Sequence, residues 1–99
     1  MAELLSDDQI TDALRDLPGW EARAGTLHRA VTAPDFLTGV ALVSEVAQAA
    51  EQQDHHPDID IRWTTVTFTL STHSEGGITT KDVSLARDIN RLAESRAGR

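Results

Sequence analysis

The apolar residues between Asp35 and Thr72 change their spacing once, and that change limits what the chain can become. Phe36, Leu37, Val40, Ala41, Val43, Val46, Ala47 and Ala50 recur at three- and four-residue steps. This is the repeat of an amphipathic helix and predicts one over about 35–53. Thr32-Ala33-Pro34-Asp35 opens it, with Pro and Asp suited to a first turn. From Ile59 onward the repeat is two. Ile59, Ile61 and Trp63 alternate with Asp60 and Arg62, then Val66, Phe68 and Leu70 alternate with Thr67, Thr69 and Ser71. One kind of element cannot present both repeats on a single face, so strands are expected at 59–63 and 66–72. Trp63 and Val66 are three apart, which slips the phase and predicts a turn or bulge at Thr64-Thr65. Pro57 confines His56 to extended backbone and helps end the helix before the first of these strands.

The flanks supply the remaining elements. Ser6-Asp7-Asp8-Gln9 reads as a capping box, followed by Ile10, Ala13, Leu14 and Leu17 at helical spacing. That helix is expected over about 7–17, stopped by Pro18-Gly19. Trp20 to Arg23 and Leu27 to Val31 alternate on either side of Ala24-Gly25-Thr26, which reads as a hairpin. After the loop Glu75-Gly76-Gly77, Thr79-Thr80-Lys81-Asp82 resembles a second capping box. Val83, Leu85, Ala86, Ile89, Leu92 and Ala93 follow as an amphipathic helix, and the tail from Ser95 to Arg99 is expected to fray. The order α-β-β-α-β-β-α predicts an α+β fold: a four-stranded antiparallel sheet with three helices on one face. Ninety-nine residues make this one domain, spanning 1–99. A small open sheet leaves unpaired edges that need covering, so a homodimer or homotetramer is expected.

Composition then removes whole classes of function. Nine Lys+Arg against sixteen Asp+Glu leave a net charge of −7. A surface built to neutralise phosphates needs clustered cations, so nucleic acid is not an expected partner, nor is an anionic membrane. There is no cysteine, which removes disulfides, thiolate metal sites and thiol nucleophiles together. A reducing cytoplasm fits this usage. No apolar run approaches the ~20 residues of a membrane span, and MAELLSDDQ carries no basic stretch or apolar core of a secretory signal.

What remains is a histidine chemistry. His55 and His56 follow the long helix, and His73 ends the strand expected from Val66. A strand pair returns the chain on itself, which brings His73 back towards His55-His56-Pro57. Histidine both gives and takes protons near neutrality. The plainer alternative is that such residues only cap helix carbonyls and complement the dipole. Zinc is a second alternative, with Glu51, Asp54 or Asp58 as further ligands. Adjacent histidines on extended backbone point to opposite sides, however, and no HExxH spacing is present, so no metal is expected. His28 stands alone on a strand and reads as a surface or packing residue. Trp20 and Trp63 are half of the four aromatics. Core packing explains a tryptophan, and a stacking wall for a flat heteroaromatic ligand is the alternative.

The stretch EQQDHHPDIDIRWTTVTFTLSTHSEGGITTKD, Glu51 to Asp82, resembles the signature of the pterin-4a-carbinolamine dehydratase family. It runs Glu51, three residues, His55-His56-Pro57, five residues, Trp63, nine residues, His73, eight residues, Asp82. The segment Leu70 to His73 and Pro18-Gly19-Trp20 are also family-like, and the resemblance covers essentially the whole chain. It implies a hydro-lyase that dehydrates 4a-hydroxytetrahydrobiopterin to quinonoid dihydropterin and water, in tetrahydropterin recycling beside an aromatic amino acid hydroxylase. No cofactor is implied. The resemblance assigns catalysis to His55, His56 and His73, with His55 and His73 as the acid/base pair and His56 positioning substrate. It has Glu51 and Asp82 orient the histidines or hydrogen-bond the pterin, adds substrate contacts from Pro57 and Trp63, and makes Trp20 a stacking wall. Some members carry an aromatic where Ile59 and Asp60 stand here, which alters the fine shape of the pocket. Two other functions come with the resemblance. One is a non-catalytic interaction module, since members of that family also serve as dimerisation cofactors of a homeodomain transcription factor. The other is a dehydratase acting on a different pterin, such as a molybdopterin-type compound.

Overall fold

The computed structural model describes residues 3–96. Its elements are α1 (Asp7–Leu14), β1 (Glu21–Arg23), β2 (Thr26–Thr32), α2 (Phe36–Gln53), β3 (Asp58–Arg62), β4 (Thr65–Leu70), a short 3-10 turn (His73–Glu75) and α3 (Thr80–Arg96). The four strands form one antiparallel sheet in the order β1-β2-β4-β3. Three helices and an α+β class are as the periodicity predicts.

The sheet face that meets the helices is built by alternation. Leu27 pairs with Leu70 and Val31 with Val66, while Ile59 pairs with Phe68 across the other side of β4. Val66, Phe68 and Leu70 are fully buried between these neighbours. Thr67 and Thr69 point the other way, beside Ala30 and His28. The phase slip resolves into a two-residue turn at Trp63-Thr64, so odd-numbered residues on β3 share a face with even-numbered ones on β4. Trp63 adopts φ 51°, and the strand accordingly stops at Arg62 rather than at Trp63.

Local chemistry sets the helix starts. Gln9 N–H donates to Ser6 Oγ and Ser6 N–H donates to Gln9 Oε1, the reciprocal capping box read from the sequence. Asp35 caps α2 by accepting from Thr38 N–H at 2.8 Å, and its hydrogen bonds with Thr38 hold its carboxyl below the usual carboxylate value. Helix α1 is shorter than expected. Arg15, Asp16 and Leu17 bond back to Asp12, Ala13 and Leu14, three residues earlier, and this tightening turns Leu17 into the core. On α2 the buried face is Gly39, Leu42, Val46 and Ala50. Phe36, Leu37 and Val40 stay exposed, because this helix is apolar on more than one side and its spacing did not mark which side meets the sheet. Helix α3 continues through Arg96; the rest of the expected frayed tail, residues 97–99, lies outside the described residues.

The two faces of β4 should respond differently to truncation. Phe68→Ala, which empties a fully buried site, should cost about 3–5 kcal/mol in a denaturant melt. Thr67→Ala, one residue away on the open face, should cost under about 1 kcal/mol.

Candidate active site

Helix α2 ends in a way that delivers His55. Asp54 takes the left-handed conformation, φ 50° and ψ 43°, where Asp and Asn are tolerated better than most side chains. His55 N–H then reaches back to Ala50 O at 3.1 Å. This six-to-one bond is the Schellman closure, and it fixes the backbone from which His55 projects. Pro57 keeps the next residues extended, so consecutive side chains part. His55 turns inward and His56 outward.

His55 is 9% exposed. Its Nε2 lies 2.6 Å from Asp82 Oδ1. Asp82, in the first turn of α3, is completely buried. Its second oxygen, Oδ2, accepts from Thr72 Oγ1 at 2.8 Å and from Thr79 N–H at 2.9 Å. Thr72 and Thr79 hydroxyls are 2.7 Å apart, and Thr79 Oγ1 accepts from Lys81 N–H. Half of the expected second capping box is thus present: Asp82 accepts from Thr79 N–H, while the Thr79 hydroxyl accepts from Lys81 N–H rather than from Asp82 N–H. A buried carboxylate is costly without such partners, and here both oxygens are used.

The same network places His73. Thr72 is bridged to Gly77, so the chain leaves the sheet after Leu70 and turns back within a few residues. His73 therefore opens the 3-10 turn rather than ending β4, because the ladder stops at Leu70 and Thr72 is held by Asp82 and Gly77. It is exposed and sits one residue from the His55-bonded cluster. His56 is also exposed, with Nε2 2.6 Å from Glu51 Oε2. Glu51 lies in the last turn of α2, where negative charge runs against the helix dipole and no basic residue offsets it. Pro57 is half-buried beside these groups.

The two tryptophans are not brought here. Trp20, expected as a stacking wall, is 6% exposed, and its Nε1–H donates to Asn90 Oδ1 at 2.7 Å. Asn90 Oδ1 also accepts from Arg29, whose guanidinium burial pushes below its ordinary value while Glu94 opposes that shift. Asn90 is eight residues along α3 from Asp82, ~12 Å by helical rise. Packing therefore occupies the ring of Trp20. Trp63 is 79% exposed at the far end of β3, ~17 Å along the strand from Asp58. His28 is on the open sheet face opposite Thr69 and Glu21. Sequence reading missed Thr72 and Thr79. The Thr79-to-Asp82 helix start was the available signal, since a capping box with a buried acid has an oxygen left over for a second partner.

Among the described residues no group of three or more His, Asp or Glu is arranged to hold a metal ion, and no helix is long and apolar enough to cross a membrane. A groove of about 560 Å³ between α1, the β1–β2 turn and Gly76–Ile78 contains none of the histidines.

A family model described as pterin 4 alpha carbinolamine dehydratase matches residues 3–92, and the chain belongs to that family. A Mycolicibacterium smegmatis protein with the provisional name pterin-4-alpha-carbinolamine dehydratase is 60% identical over 89 residues, 90% of this chain and 95% of that protein. A Nocardia farcinica protein with the same provisional name is 59% identical over 91 residues, 92% of this chain and 96% of its own length. Among solved structures, a Brucella melitensis protein described as a transcriptional coactivator/pterin dehydratase is similar with a TM-score of 0.88 and 35% identity, covering 90% of this chain and 97% of that one. A pterin dehydratase-like protein described as a RuBisCO assembly factor in the alpha-carboxysome shares the fold, with a TM-score of 0.62 at 20% identity over 75% of this chain and 86% of that one.

The two carboxylates should differ sharply in what they hold up. Asp82→Ala strips a buried cluster of its acceptor and should lose about 3–5 kcal/mol of stability. Glu51→Ala breaks only an exposed pair and should lose less than about 1 kcal/mol, both read by urea titration.

Proposed function

We propose that this chain dehydrates 4a-hydroxytetrahydropterins, 4a-hydroxytetrahydrobiopterin in the first place, to quinonoid dihydropterin and water. The observation that carries this reading is the pairing of a buried His55–Asp82 couple with an exposed His73 one residue from Thr72. In the substrate the 4a carbon bears hydroxyl next to a ring nitrogen whose electrons can expel it. The C4a–O bond breaks, the leaving oxygen takes a proton and departs as water, and a ring N–H proton is removed as the C=N bond forms. The protein need supply only a proton donor and a proton acceptor, which is within the capacity of two imidazoles. His55 and His73 fill these roles. His56, held by Glu51, positions the pterin, with Pro57 shaping the same edge. Such a step belongs to tetrahydropterin recycling after an aromatic amino acid hydroxylase, in the cytoplasm.

His73→Ala and His55→Ala should each lose on the order of 10-fold or more in kcat. KM should change little, because a proton-transfer group acts in the transition state. The double variant should fall close to the spontaneous rate, and EDTA should leave wild type unchanged. Stopped-flow dehydration measures all four. Full activity in the double variant would overturn the histidine mechanism, loss to EDTA alone would defeat a metal-free one, and a wild type no faster than the spontaneous rate would favour the interaction-module reading.

Self-association belongs to the same proposal. Leu37 is 76% exposed, Trp63 79%, Phe36 48%, Ile61 41% and Val40 38%. Ala33 N–H bonds Thr64 O at 2.8 Å, which ties the start of α2 to the β3–β4 turn and gathers these side chains at one end. Beside them β3 is an unpaired sheet edge. A second copy of the chain covers both features. Light scattering should report a dimer or tetramer, and Leu37→Glu combined with Trp63→Glu should shift the mass towards the 10.8 kDa monomer. A wild-type monomer at micromolar concentration would contradict this.

A further inference from the structure

We infer that the groove between α1 and the β1–β2 turn receives the substituent at C6 of the pterin, and that the substituent it takes is an uncharged aryl group. The inference rests on the dehydration proposed above and names the class of pterin that this chain handles best.

Three stretches of irregular chain meet at one end of the sheet. Asp58 opens β3 opposite Thr69, so the segment His55-His56-Pro57 enters there. Leu70 closes β4 opposite Leu27, next to the turn Ala24-Gly25 that joins β1 to β2. In the strand order β1-β2-β4-β3, the exit of β4 falls between the other two. Ser71 Oγ donates to Gly25 O at 3.2 Å, which ties the chain just before His73 to the β1–β2 turn. Gly76 N–H donates to His73 O at 3.2 Å, and Gly76, Gly77 and Ile78 form one wall of the groove. His73 and the groove therefore share a turn. At that point the chain segments face each other through glycines. A Cβ on Gly76, φ 77°, would meet nothing within 4 Å, and one on Gly25, φ 81°, would meet only Gly76 O and Gly77 Cα at 3.9 Å. C6 of a pterin is two bonds from C4a. A substrate with its reacting carbon beside His73 carries its C6 substituent close by, and the glycines leave it a way into the groove.

The lining sets the chemistry of that substituent. Ile10, Leu14 and Ile78 make an apolar floor, with Ala22 of β1 and Thr11 of α1 on the walls. At about 560 Å³ the groove is within the range of small-molecule sites and exceeds what a methyl or propyl chain fills. An anionic tail is disfavoured. Asp7 stands among the lining residues, the chain carries a net charge of −7, and the lining cation, Arg23, is paired with Glu21 at 3.0 Å. Hydroxyls are disfavoured too, because they would exchange water for an apolar floor. An uncharged ring meets neither cost and gains by burial. The dihydroxypropyl group of biopterin gains little in the groove, and an aryl group gains most.

The test is stopped-flow dehydration of 4a-hydroxytetrahydropterins that differ only at C6: methyl, dihydroxypropyl, anilinomethyl and carboxyanilinomethyl. The anilinomethyl substrate should show a KM about 10-fold or more below the methyl one, with kcat within about twofold. A remote group bound equally in ground and transition states lowers KM alone. The dihydroxypropyl substrate should stay within about threefold of the methyl one, and the ring carboxylate should remove most of the gain. Ala22 is in register with buried Leu27, so its side chain is on the groove side of β1, and Ala22→Trp fills the space. In that variant the anilinomethyl and methyl KM values should come within about twofold of each other. Equal KM values in wild type overturn the inference. So does a preference for the dihydroxypropyl or carboxylated substrate, or an aryl preference that survives Ala22→Trp. If Ala22→Trp does not fold by circular dichroism, Thr11→Trp on the helix wall takes its place. The two readings fail separately. An active wild type with no aryl preference defeats the groove and spares the reaction. If wild type does not accelerate dehydration, ¹⁵N NMR titration with oxidised 6-(anilinomethyl)pterin and 6-methylpterin decides. Tighter binding of the first, with shifts at Gly25, Gly76 and Gly77, spares the groove, whereas equal binding or shifts elsewhere defeat it.

Discussion

The Asp82 carboxylate is where three separate pieces of chain are held together. His55 comes from the end of α2, Thr72 from the exit of β4 and Thr79 from the start of α3. None of these pieces is regular structure at the contact, so hydrophobic packing alone would leave them loosely placed. A buried charge cannot be left loose. Removing its partners costs several kcal/mol, so the low-energy arrangement is one in which all the donors converge. Packing of Val66, Phe68 and Leu70 against the helices brings the pieces close, and the carboxylate then sets their final geometry. The positions of His55 and His73 both descend from that contact.

Neighbouring residues divide the work on either side of Pro57. His55 is inside, immobilised at its backbone by the Ala50 bond and at its ring by Asp82. His56 is outside, paired only with exposed Glu51. This division follows from extended backbone, which sends adjacent side chains to opposite sides. Glu51 and Asp54 crowd negative charge at the C-terminal end of α2, where the helix dipole disfavours it. A local choice that opposes local energetics is the kind expected where a site is being built.

The sequence carried the elements of the fold well because their signals are local. The change of period at Ile59, the Ser6 capping box and the turn at Ala24-Gly25 each lie within a few residues, and each appears in the structure within a few positions of where it was read. The Glu51-to-Asp82 spacing was likewise legible, since its members sit on one short stretch of chain. What was not legible depends on distant partners. Trp20 is drawn inward by Asn90, seventy residues away, and no pattern near Trp20 announces that bond. Trp63 lies at the far end of the β3–β4 hairpin from Asp58, because the odd offset of the hairpin is settled by a turn at the tryptophan itself. Thr72 and Thr79 read as ordinary strand and cap residues. Their role appears only once a buried acid is seen to need them.

The fold by itself does not decide between catalysis and docking. The chain shares its architecture with a protein described as a RuBisCO assembly factor and more closely with one described as a coactivator/pterin dehydratase. Function therefore has to be argued from the site. A domain used only as a docking scaffold has no need of a fully buried carboxylate, because replacing a buried ionic cluster with well-packed apolar groups is often neutral or stabilising by about 1–4 kcal/mol. This chain instead commits two threonines, a helix start and a strand exit to holding Asp82 against one histidine. The exposed apolar end at Leu37 and Trp63 lies away from that cluster, so the proposed association and the proposed proton transfer draw on different residues. The two proposed activities can coexist on one chain, and the buried cluster is where a catalytic reading and a docking reading are told apart.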